Sequence, residues 1–200
     1  KIIMHFMICP ICFSKHLRYF FQKDSFKFYC CLDCNLVFVW PIPEDLTSIY
    51  GEDYFKLSNL DKGIGYIDYD QDRMAMRGIF IKYIKIIKQY NSGKKLLDIG
   101  AARGYFMKLA MERGWQVSGI EISQAAAGAG RDSKFDILIG DFKHLSINNK
   151  YDVITMWDVL EHVADPLGYI KAVNKNLEPG GIFAFTTVDR GSLWAKAWGK

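Results

Sequence analysis

Residues 95–106 of this 200-residue chain read KLLDIGAARGYF, and this stretch decides the fold. Its first half is an apolar run around Asp98, which is typical of a buried parallel strand. A turn containing Gly100 and Gly104 follows, and an apolar helical pattern begins at Phe106. Glycine permits positive φ and close backbone approach to a ligand, and a helix N-terminus offers free N–H groups. The stretch therefore predicts a ligand-binding strand–turn–helix unit, with an ordinary strand–helix connection as the alternative.

Three further strands are predicted downstream, and each finishes at an acidic residue. They cover residues 115–121, 136–142 and 151–158, and the acids are Glu121, Asp141 and Asp158. Because the carboxyl ends of parallel strands share one edge of the sheet, we expect these acids to gather at that edge. A carboxylate in the position of Glu121 can accept hydrogen bonds from both hydroxyls of a ribose.

This ordered series of strand-end acids resembles the class I S-adenosylmethionine-dependent methyltransferases over about residues 75–189. The resemblance implies an α/β fold with a Rossmann-like, doubly wound, mostly parallel sheet. It also implies that the Asp98 turn cradles the methionine part of the cofactor, that Glu121 holds the ribose, and that Asp141 with Phe142 reads the adenine. The cofactor-binding residues implied in this way are Asp98, Gly100, Ala102, Gly104, Glu121, Asp141, Phe142 and Trp157.

One position departs from the family pattern. The Gly-x-Gly-x-Gly turn of the family reads Gly-Ala-Ala-Arg-Gly over residues 100–104, so Ala102 replaces the middle glycine. Alanine adds a single methyl group, and we therefore expect cofactor binding to survive.

Asp158, Glu161 and His162 follow the fourth predicted strand at the same edge of the sheet. In the family a Glu-His-Val segment commonly packs beside the cofactor at this place. Three interpretations of His162 remain open. It can buttress the sheet edge, act as a general base near neutral pH, or join the two acids in an oxygen/nitrogen metal site. His162 and Asp158 are the candidate catalytic residues.

All five cysteines lie within the first 34 residues. Four of them form two Cys-x-x-Cys pairs separated by 18 residues, namely Cys9, Cys12, Cys31 and Cys34. This spacing is typical of a four-cysteine zinc ribbon. Disulfides would need an oxidising compartment, which nothing in the sequence indicates, and a thioredoxin-like site would need one pair at a strand–helix turn. Cys30 is the spare thiol, and it replaces Cys31 as a ligand if the second knuckle is irregular.

The chain divides into a zinc ribbon (1–43), a connector (44–65) and a cofactor-binding core (66–200). The ribbon pattern predicts a hairpin of residues 20–21 and 26–29 and a further strand at 36–40, whose aromatic side chains fill the small core rather than stack on bases. In the core we predict a helix at 68–90 and a last strand at 182–188. The family fold continues with two more strands, so we expect a fragment, with a partner covering the sheet edge as the alternative.

Composition is consistent with a soluble, cytoplasmic enzyme. Half of the residues are hydrophobic, and the net charge of +4 is too mild to indicate nucleic acid by itself. There is no apolar run of membrane-spanning length and no signal-peptide pattern. The ribbon, the Tyr-Gly-Glu-Asp-Tyr-Phe segment at residues 50–55 and the core, in this order, resemble bacterial methyltransferases of sugar, polysaccharide and secondary-metabolite pathways. This resemblance implies methyl transfer to a small-molecule acceptor. The alternatives are a ribosomal- or transfer-RNA methyltransferase that uses the ribbon for RNA, and a non-catalytic cofactor-binding module. The sequence does not identify the acceptor.

Overall fold

The computed structural model describes residues 7–42, 74–132 and 135–193. The first range contains a three-stranded antiparallel sheet of β1 (Leu17–Lys23), β2 (Phe26–Cys31) and β3 (Val37–Val39). Its hairpin turns at Asp24, which has a positive φ of 53°. The predicted ribbon hairpin and the additional strand are both present, each close to its predicted place. The connector at 44–65 lies outside the described residues.

The remaining ranges alternate strands with helices around a second sheet. In chain order the elements are α1 (Arg77–Tyr90), β4 (Lys95–Ile99), α2 (Tyr105–Met111), β5 (Gln116–Glu121), α3 (Gln124–Asp132), β6 (Ile137–Ile139), β7 (Tyr151–Trp157), α4 (Pro166–Asn176) and β8 (Leu177–Thr186). The strand order is β6-β5-β4-β7-β8, and all neighbours pair in parallel. The predicted Rossmann-like, doubly wound sheet is confirmed.

The central strand β4 is buried on both faces. Leu96 packs into one apolar cluster with Phe80 and Ile84 of α1, whereas Leu97 packs into another with Tyr169 and Val173 of α4. This alternation follows from the two-residue period of a strand, which sends successive side chains to opposite faces. The long apolar runs of the sequence are therefore explained by helices on both sides of the sheet.

The order of the strands also places the ligand edge. The chain leaves β4 on one side to build β5 and β6, and returns to the other side of β4 to build β7 and β8. In open sheets of this kind, ligands bind at the carboxyl ends of the strands where the direction of winding changes. That point lies beyond Ile99, at the glycine turn from which the sequence argument began.

Two strand boundaries differ clearly from prediction. β6 ends at Ile139, because Asp141 caps a short 3-10 helix (Phe142–His144) by accepting the N–H of Lys143. β8 begins at Leu177 instead of 182. Tyr151 pairs with Leu177 and Val153 with Ile182, so residues 178–181 form an irregularity inside the strand. The predicted helix at 68–90 is described from residue 74, with α1 itself starting at Arg77.

No helix among the described residues is both long and apolar enough to span a bilayer.

Candidate functional site

The turn after β4 is built so that only glycine fits at two positions. Gly100 and Gly104 have φ of 74° and 80°. A Cβ atom would lie 2.3 Å from Val159 Cγ2 at Gly100 and 2.6 Å from the ring of Phe135 at Gly104. The backbone N–H groups of Gly100 and Ala101 donate to the carbonyl of Ile120, which ties the turn to the end of β5. Both positions therefore require glycine, and the predicted ligand-binding role of the turn stays a prediction.

Ala102 occupies the left-handed region at φ 48°. This conformation costs an L-residue roughly 1–2 kcal/mol relative to right-handed backbone. Its N–H donates to Glu121 Oε2 at 2.8 Å, and the residue is 6% exposed. The alanine therefore keeps the backbone geometry that a glycine would adopt, and it links the turn to the second strand-end acid.

Glu121 is held by the backbone at the end of β5. Oε2 accepts the Ala102 N–H, and Oε1 accepts the Ser123 N–H at 2.8 Å. Burial raises the pKa of Glu121, an effect that these N–H groups partly offset. Each carboxylate oxygen has a further lone pair, so the oriented group can still accept two hydroxyls from a ligand.

Asp98 lines a shallow cleft at the carboxyl end of β4. The carboxylate is 2% exposed and accepts the Thr155 hydroxyl at 2.7 Å. The cleft is lined by the turn, by both flanking helices and by the end of β7, namely by Phe80, Asp98, Gly100, Ala101, Tyr105, Phe106 and Trp157. Asp98, Gly100 and Trp157 were predicted, whereas the aromatic residues of α1 and α2 were missed.

Trp157 is the centre of an aromatic cluster at the cleft wall. Its indole stacks on Tyr83 of α1, with ring centroids 4.9 Å apart and an interplanar angle of 17°. Phe106 of α2 meets the same indole edge-on at 5.0 Å. The helix predicted at 68–90 did not indicate which strand Phe80 and Tyr83 would contact.

Asp141 is also oriented, although it lies beyond the short β6 strand. Oδ1 accepts the Lys143 N–H at 3.0 Å and the Tyr169 hydroxyl at 2.5 Å. Phe142 is 2% exposed and belongs to the apolar cluster of Leu97 and Ile154, so its ring is not an open stacking face. Phe142 thus anchors the segment that carries Asp141, and its predicted contact with adenine stays a prediction.

Asp158 follows β7 in the left-handed region, with φ 56°. Its N–H donates to Thr186 Oγ1 at 3.0 Å, and the Thr186 hydroxyl donates back to Asp158 Oδ1 at 2.8 Å. His162 lies exposed on a 3-10 helix (Leu160–His162). Glu161 Oε2 is buried without a hydrogen-bond partner among the described residues. Strained backbone of this kind concentrates at functional sites, which makes Asp158 the stronger of the two catalytic candidates.

The predicted zinc ligands come together in the ribbon. The donor atoms of Cys9, Cys12, Cys31 and Cys34 lie within 4.8 Å of one another, and no other such group of three or more occurs in the described ranges. Asp158, Glu161 and His162 thus do not form a comparable cluster. The pairs Cys9–Cys34 and Cys12–Cys31 have sulfurs 3.5 Å apart, close to the roughly 3.8 Å edge expected for a tetrahedron of 2.3 Å zinc–sulfur bonds.

The two knuckles share one hydrogen-bond pattern. In the first, Cys9 N–H donates to the Ser14 carbonyl and Phe13 N–H donates to the Cys9 carbonyl. In the second, Cys31 and Asn35 make the same pair of bonds, with the Leu36 carbonyl in the place of Ser14. Phe13 and Asn35 both have positive φ, at 60° and 61°. The second knuckle is therefore regular, which favours Cys31 over Cys30 as the ligand.

The thiols of this cluster favour a cation among them. Burial and the neighbouring sulfurs raise the pKa of Cys34 to about 12. Burial also opposes ionisation of Cys31, yet the backbone N–H groups of Cys34 and Asp33 lower its pKa to about 7. Four thiolates this close together repel one another, and a divalent ion removes that cost. The donor set fits zinc.

Arg190 connects the ribbon to the core. It lies just after β8, and its Nη1 is 3.3 Å from the sulfur of Cys30. Its guanidinium also covers the Phe20 ring, 4.7 Å from the centroid. Cys30, the spare thiol of the ribbon, is 2% exposed, and its contact is with the segment that follows β8. No local pattern in the sequence indicates this contact.

Known proteins with similar sequences share the core. Residues 75–200 match a family model described as a methyltransferase domain. The chain is 33% identical over 117 residues to the ubiquinone biosynthesis O-methyltransferase of Idiomarina loihiensis, a match that covers 53% of this chain and 46% of that protein. It is 31% identical over 130 residues to the protein of the same name from Histophilus somni, covering 58% and 53%. The chain therefore spans about half the length of these relatives.

Two solved structures have the same fold. The plantazolicin methyltransferase BpumL in complex with SAH has a TM-score of 0.56 at 15% identity, with 63% of this chain and 53% of that chain covered. SAM-bound CalS10, an amino pentose methyltransferase from Micromonospora echinaspora, has a TM-score of 0.55 at 18% identity, with 62% and 58% covered. At this level of identity the likeness concerns the fold.

Proposed function

Because the chain belongs to the methyltransferase-domain family, we propose that it binds S-adenosylmethionine along the carboxyl edge of its parallel sheet and transfers the methyl group to a small-molecule acceptor. One observation carries this proposal. The acids at or just beyond the carboxyl ends of three adjacent strands, Asp98, Glu121 and Asp141, are each fixed by hydrogen bonds from neighbouring groups. A row of oriented carboxylates suits a ligand that presents an ammonium group, a ribose and an amino-purine in sequence.

The residues divide the work of holding the cofactor. Asp98, which is buried and lines the cleft, suits the positively charged amino group of the methionine part. Glu121 suits the ribose hydroxyls, because each of its two oxygens accepts one backbone N–H and the carboxylate is thereby held in one orientation. When bound, the cofactor supplies an electrophilic methyl group. The protein then acts mainly by holding the acceptor in line with that group and by removing a proton.

Asp158 is the proposed general base. Thr186 fixes Oδ1, and Oδ2 has no hydrogen-bond partner among the described residues. An acceptor hydroxyl or amine that attacks the methyl group must lose a proton, which a carboxylate placed at this edge can accept. His162 is the alternative base, because it lies four residues further along the same segment.

The acceptor is proposed to be a small molecule methylated on oxygen or nitrogen, with a sugar or polysaccharide precursor as the first choice. Support comes from the names of similar proteins, which include O-methyltransferases of ubiquinone biosynthesis and an amino pentose methyltransferase. The mild net charge of +4 gives no support to an RNA substrate.

The ribbon is proposed to hold one structural zinc ion through Cys9, Cys12, Cys31 and Cys34. A bound zinc ion joins the two knuckles and neutralises the thiolates. This role follows from the small size of the ribbon, which cannot offset its chain entropy by burial alone.

Two measurements test the proposal. Calorimetric titration with S-adenosylhomocysteine should show one site per chain. Methyl transfer from labelled S-adenosylmethionine, assayed on nucleotide sugars, polyhydroxylated phenols and total RNA, should give a labelled product in a small-molecule class. Absence of binding would overturn the cofactor assignment. Binding with label only in RNA would overturn the acceptor class, and binding without any product would support a non-catalytic module.

A further inference from the structure

Tyr169 places its hydroxyl directly on the third strand-end acid. It lies in the first turn of α4 and donates to Asp141 Oδ1 at 2.5 Å, across 28 residues of sequence. The residue is 9% exposed, and its ring packs on Phe142, with centroids 5.9 Å apart. The Tyr169 hydroxyl loses its hydrating water on burial and needs another hydrogen-bond partner, and the Asp141 carboxylate provides it.

The contact leaves one face of Asp141 available. Oδ1 already accepts the Tyr169 hydroxyl and the Lys143 N–H. Among the described residues, Oδ2 has no hydrogen-bond partner, and His144 Nε2 lies 3.7 Å away, beyond hydrogen-bond length. The side chain of Asp141 is 35% exposed. The carboxylate is therefore locked in rotation, with Oδ2 left to accept from an outside donor.

An ion pair and a helix cap at the start of α4 also fix the position of Tyr169. Lys143 Nζ bonds Asp165 Oδ2 at 2.6 Å, and Asp165 caps α4 by accepting the Gly168 N–H at 2.9 Å. A Cβ on Gly168 would lie 2.3 Å from Asp165 Oδ2, so a larger residue there would displace the capping carboxylate. The start of α4 is thus fastened to the 3-10 helix at two points, one of which is the tyrosine.

The phenol is a donor at all ordinary pH values. Burial raises the pKa of Tyr169, and the negative charges of Asp141 and Glu121 raise it further. The proton therefore stays on the phenol, and Asp141 is the acceptor in this pair.

We propose that Tyr169 is a positioning residue that sets the purine preference of the cofactor site, by holding Asp141 so that Oδ2 accepts the 6-amino group of adenine. The inference rests on the proposed function, since it takes the nucleoside to lie at Asp141. When Oδ1 is held in place, Oδ2 lies at one fixed position and binds a purine that donates a hydrogen bond there. A purine without the 6-amino group gains no affinity from this carboxylate. A carboxylate free to rotate would lose that discrimination.

The test compares two ligands in calorimetry, S-adenosylhomocysteine and its 6-desamino analogue, in which purine replaces adenine. Wild-type protein should prefer the adenine ligand by about tenfold, the size of a hydrogen bond to a charged group. Tyr169→Phe should lower affinity for the adenine ligand by about fivefold while changing the desamino ligand by less than about twofold. A purely structural role would weaken both ligands equally.

Two further variants make the result decisive. Tyr151→Phe is the matched control, because Tyr151 is a buried tyrosine of the same apolar cluster, and it should leave the preference unchanged. In an Asp141→Ala background, Tyr169→Phe should have no further effect on the preference, since the phenol acts through that carboxylate.

The outcomes separate the inference from the proposed function. Equal preference in wild type and Tyr169→Phe would overturn the inference while leaving cofactor binding intact. Equal binding of both ligands by wild type would also overturn it, by showing that Asp141 does not read the amine. Absence of binding of either ligand would overturn the proposed function itself.

Discussion

The ribbon and the core of this protein are stabilised by different means. In the core, β4 and β7 are buried along almost their whole length, and helices close both faces of the sheet. In the ribbon, β1 is exposed at five of its seven positions, and the fully buried side chains of the described ribbon residues are all cysteines. The comparison leads us to expect that apolar burial stabilises the core, whereas the ribbon depends on the proposed zinc ion.

The difference also shows how each region carries function. In the core, the sheet fixes where the strand-end acids lie, and the proposed cofactor site draws on groups from three strands. In the ribbon, the proposed zinc site draws on four sulfur atoms from two knuckles. The described contact between the two is made by Arg190, on Cys30 and Phe20.

The largest effect should come from removing zinc ligands. Cys31→Ser with Cys34→Ser should unfold the ribbon, because a hairpin this small cannot replace the metal by burial. Affinity for S-adenosylhomocysteine should stay within about threefold, or ~0.7 kcal/mol. Elemental analysis, calorimetry and hydrogen exchange over both regions measure these effects.

Cys30→Ser is the matched control for that variant. It removes a buried thiol from the same ribbon and should retain one zinc ion per chain. Loss of cofactor binding together with loss of protection in β4 and β7 of the double variant would contradict the comparison, because it would show one cooperative unit.

The next effect concerns turnover. Asp158→Asn should lower kcat by about 100-fold or more, the usual contribution of a general base, with affinity for the cofactor unchanged. Thr186→Val should cost less, since it only frees a carboxylate that remains in place. If His162→Gln lowers kcat more than Asp158→Asn does, the proposed base is wrong and His162 takes its place.

A smaller effect is expected on cofactor affinity. Glu121→Ala should weaken binding by roughly 1.5–3 kcal/mol, the range for hydrogen bonds to a charged group. Calorimetry measures this change against Glu112→Ala, a side chain 44% exposed in a surface ion pair, which should have no effect. Unchanged affinity in Glu121→Ala would contradict the proposal that Glu121 binds the ribose.

The smallest effect should come from the contact between the regions. Arg190→Gln removes a cation–π contact of about 0.5–1 kcal/mol and its approach to the sulfur of Cys30. Hydrogen exchange in β2 should become faster by a few-fold, while exchange in β4 stays the same. Arg18→Gln, an exposed arginine on β1, is the control. An equal change in both variants would mean that Arg190 does not fasten the ribbon.

The sequence predicted features that depend on short stretches. The apolar run at Leu96 and Leu97 indicated a buried strand, and the acid after each strand indicated the ligand edge, because strand period and turn chemistry are local. The cysteine pairs indicated the knuckles for the same reason, since each knuckle closes over six residues.

Features that depend on distant partners were not predictable. The bond between Tyr169 and Asp141 joins two elements that no shared pattern connects, and Arg190 reaches a residue 160 positions earlier in the chain. The burial of Phe142 was also not predicted, because the sequence pattern does not distinguish an aromatic ring that stacks on a ligand from one that is buried in the core. Here the packing of α4 decided the outcome.

The most direct test of the account is a crystal structure of this chain with S-adenosylhomocysteine bound. The account predicts the ribose hydroxyls within hydrogen-bond distance of Glu121, the amino-acid end in the cleft beside Asp98, and the 6-amino group of adenine on Asp141 Oδ2. A nucleoside bound away from the carboxyl edge of β4 and β5, with Glu121 contacting only its own backbone, would contradict it.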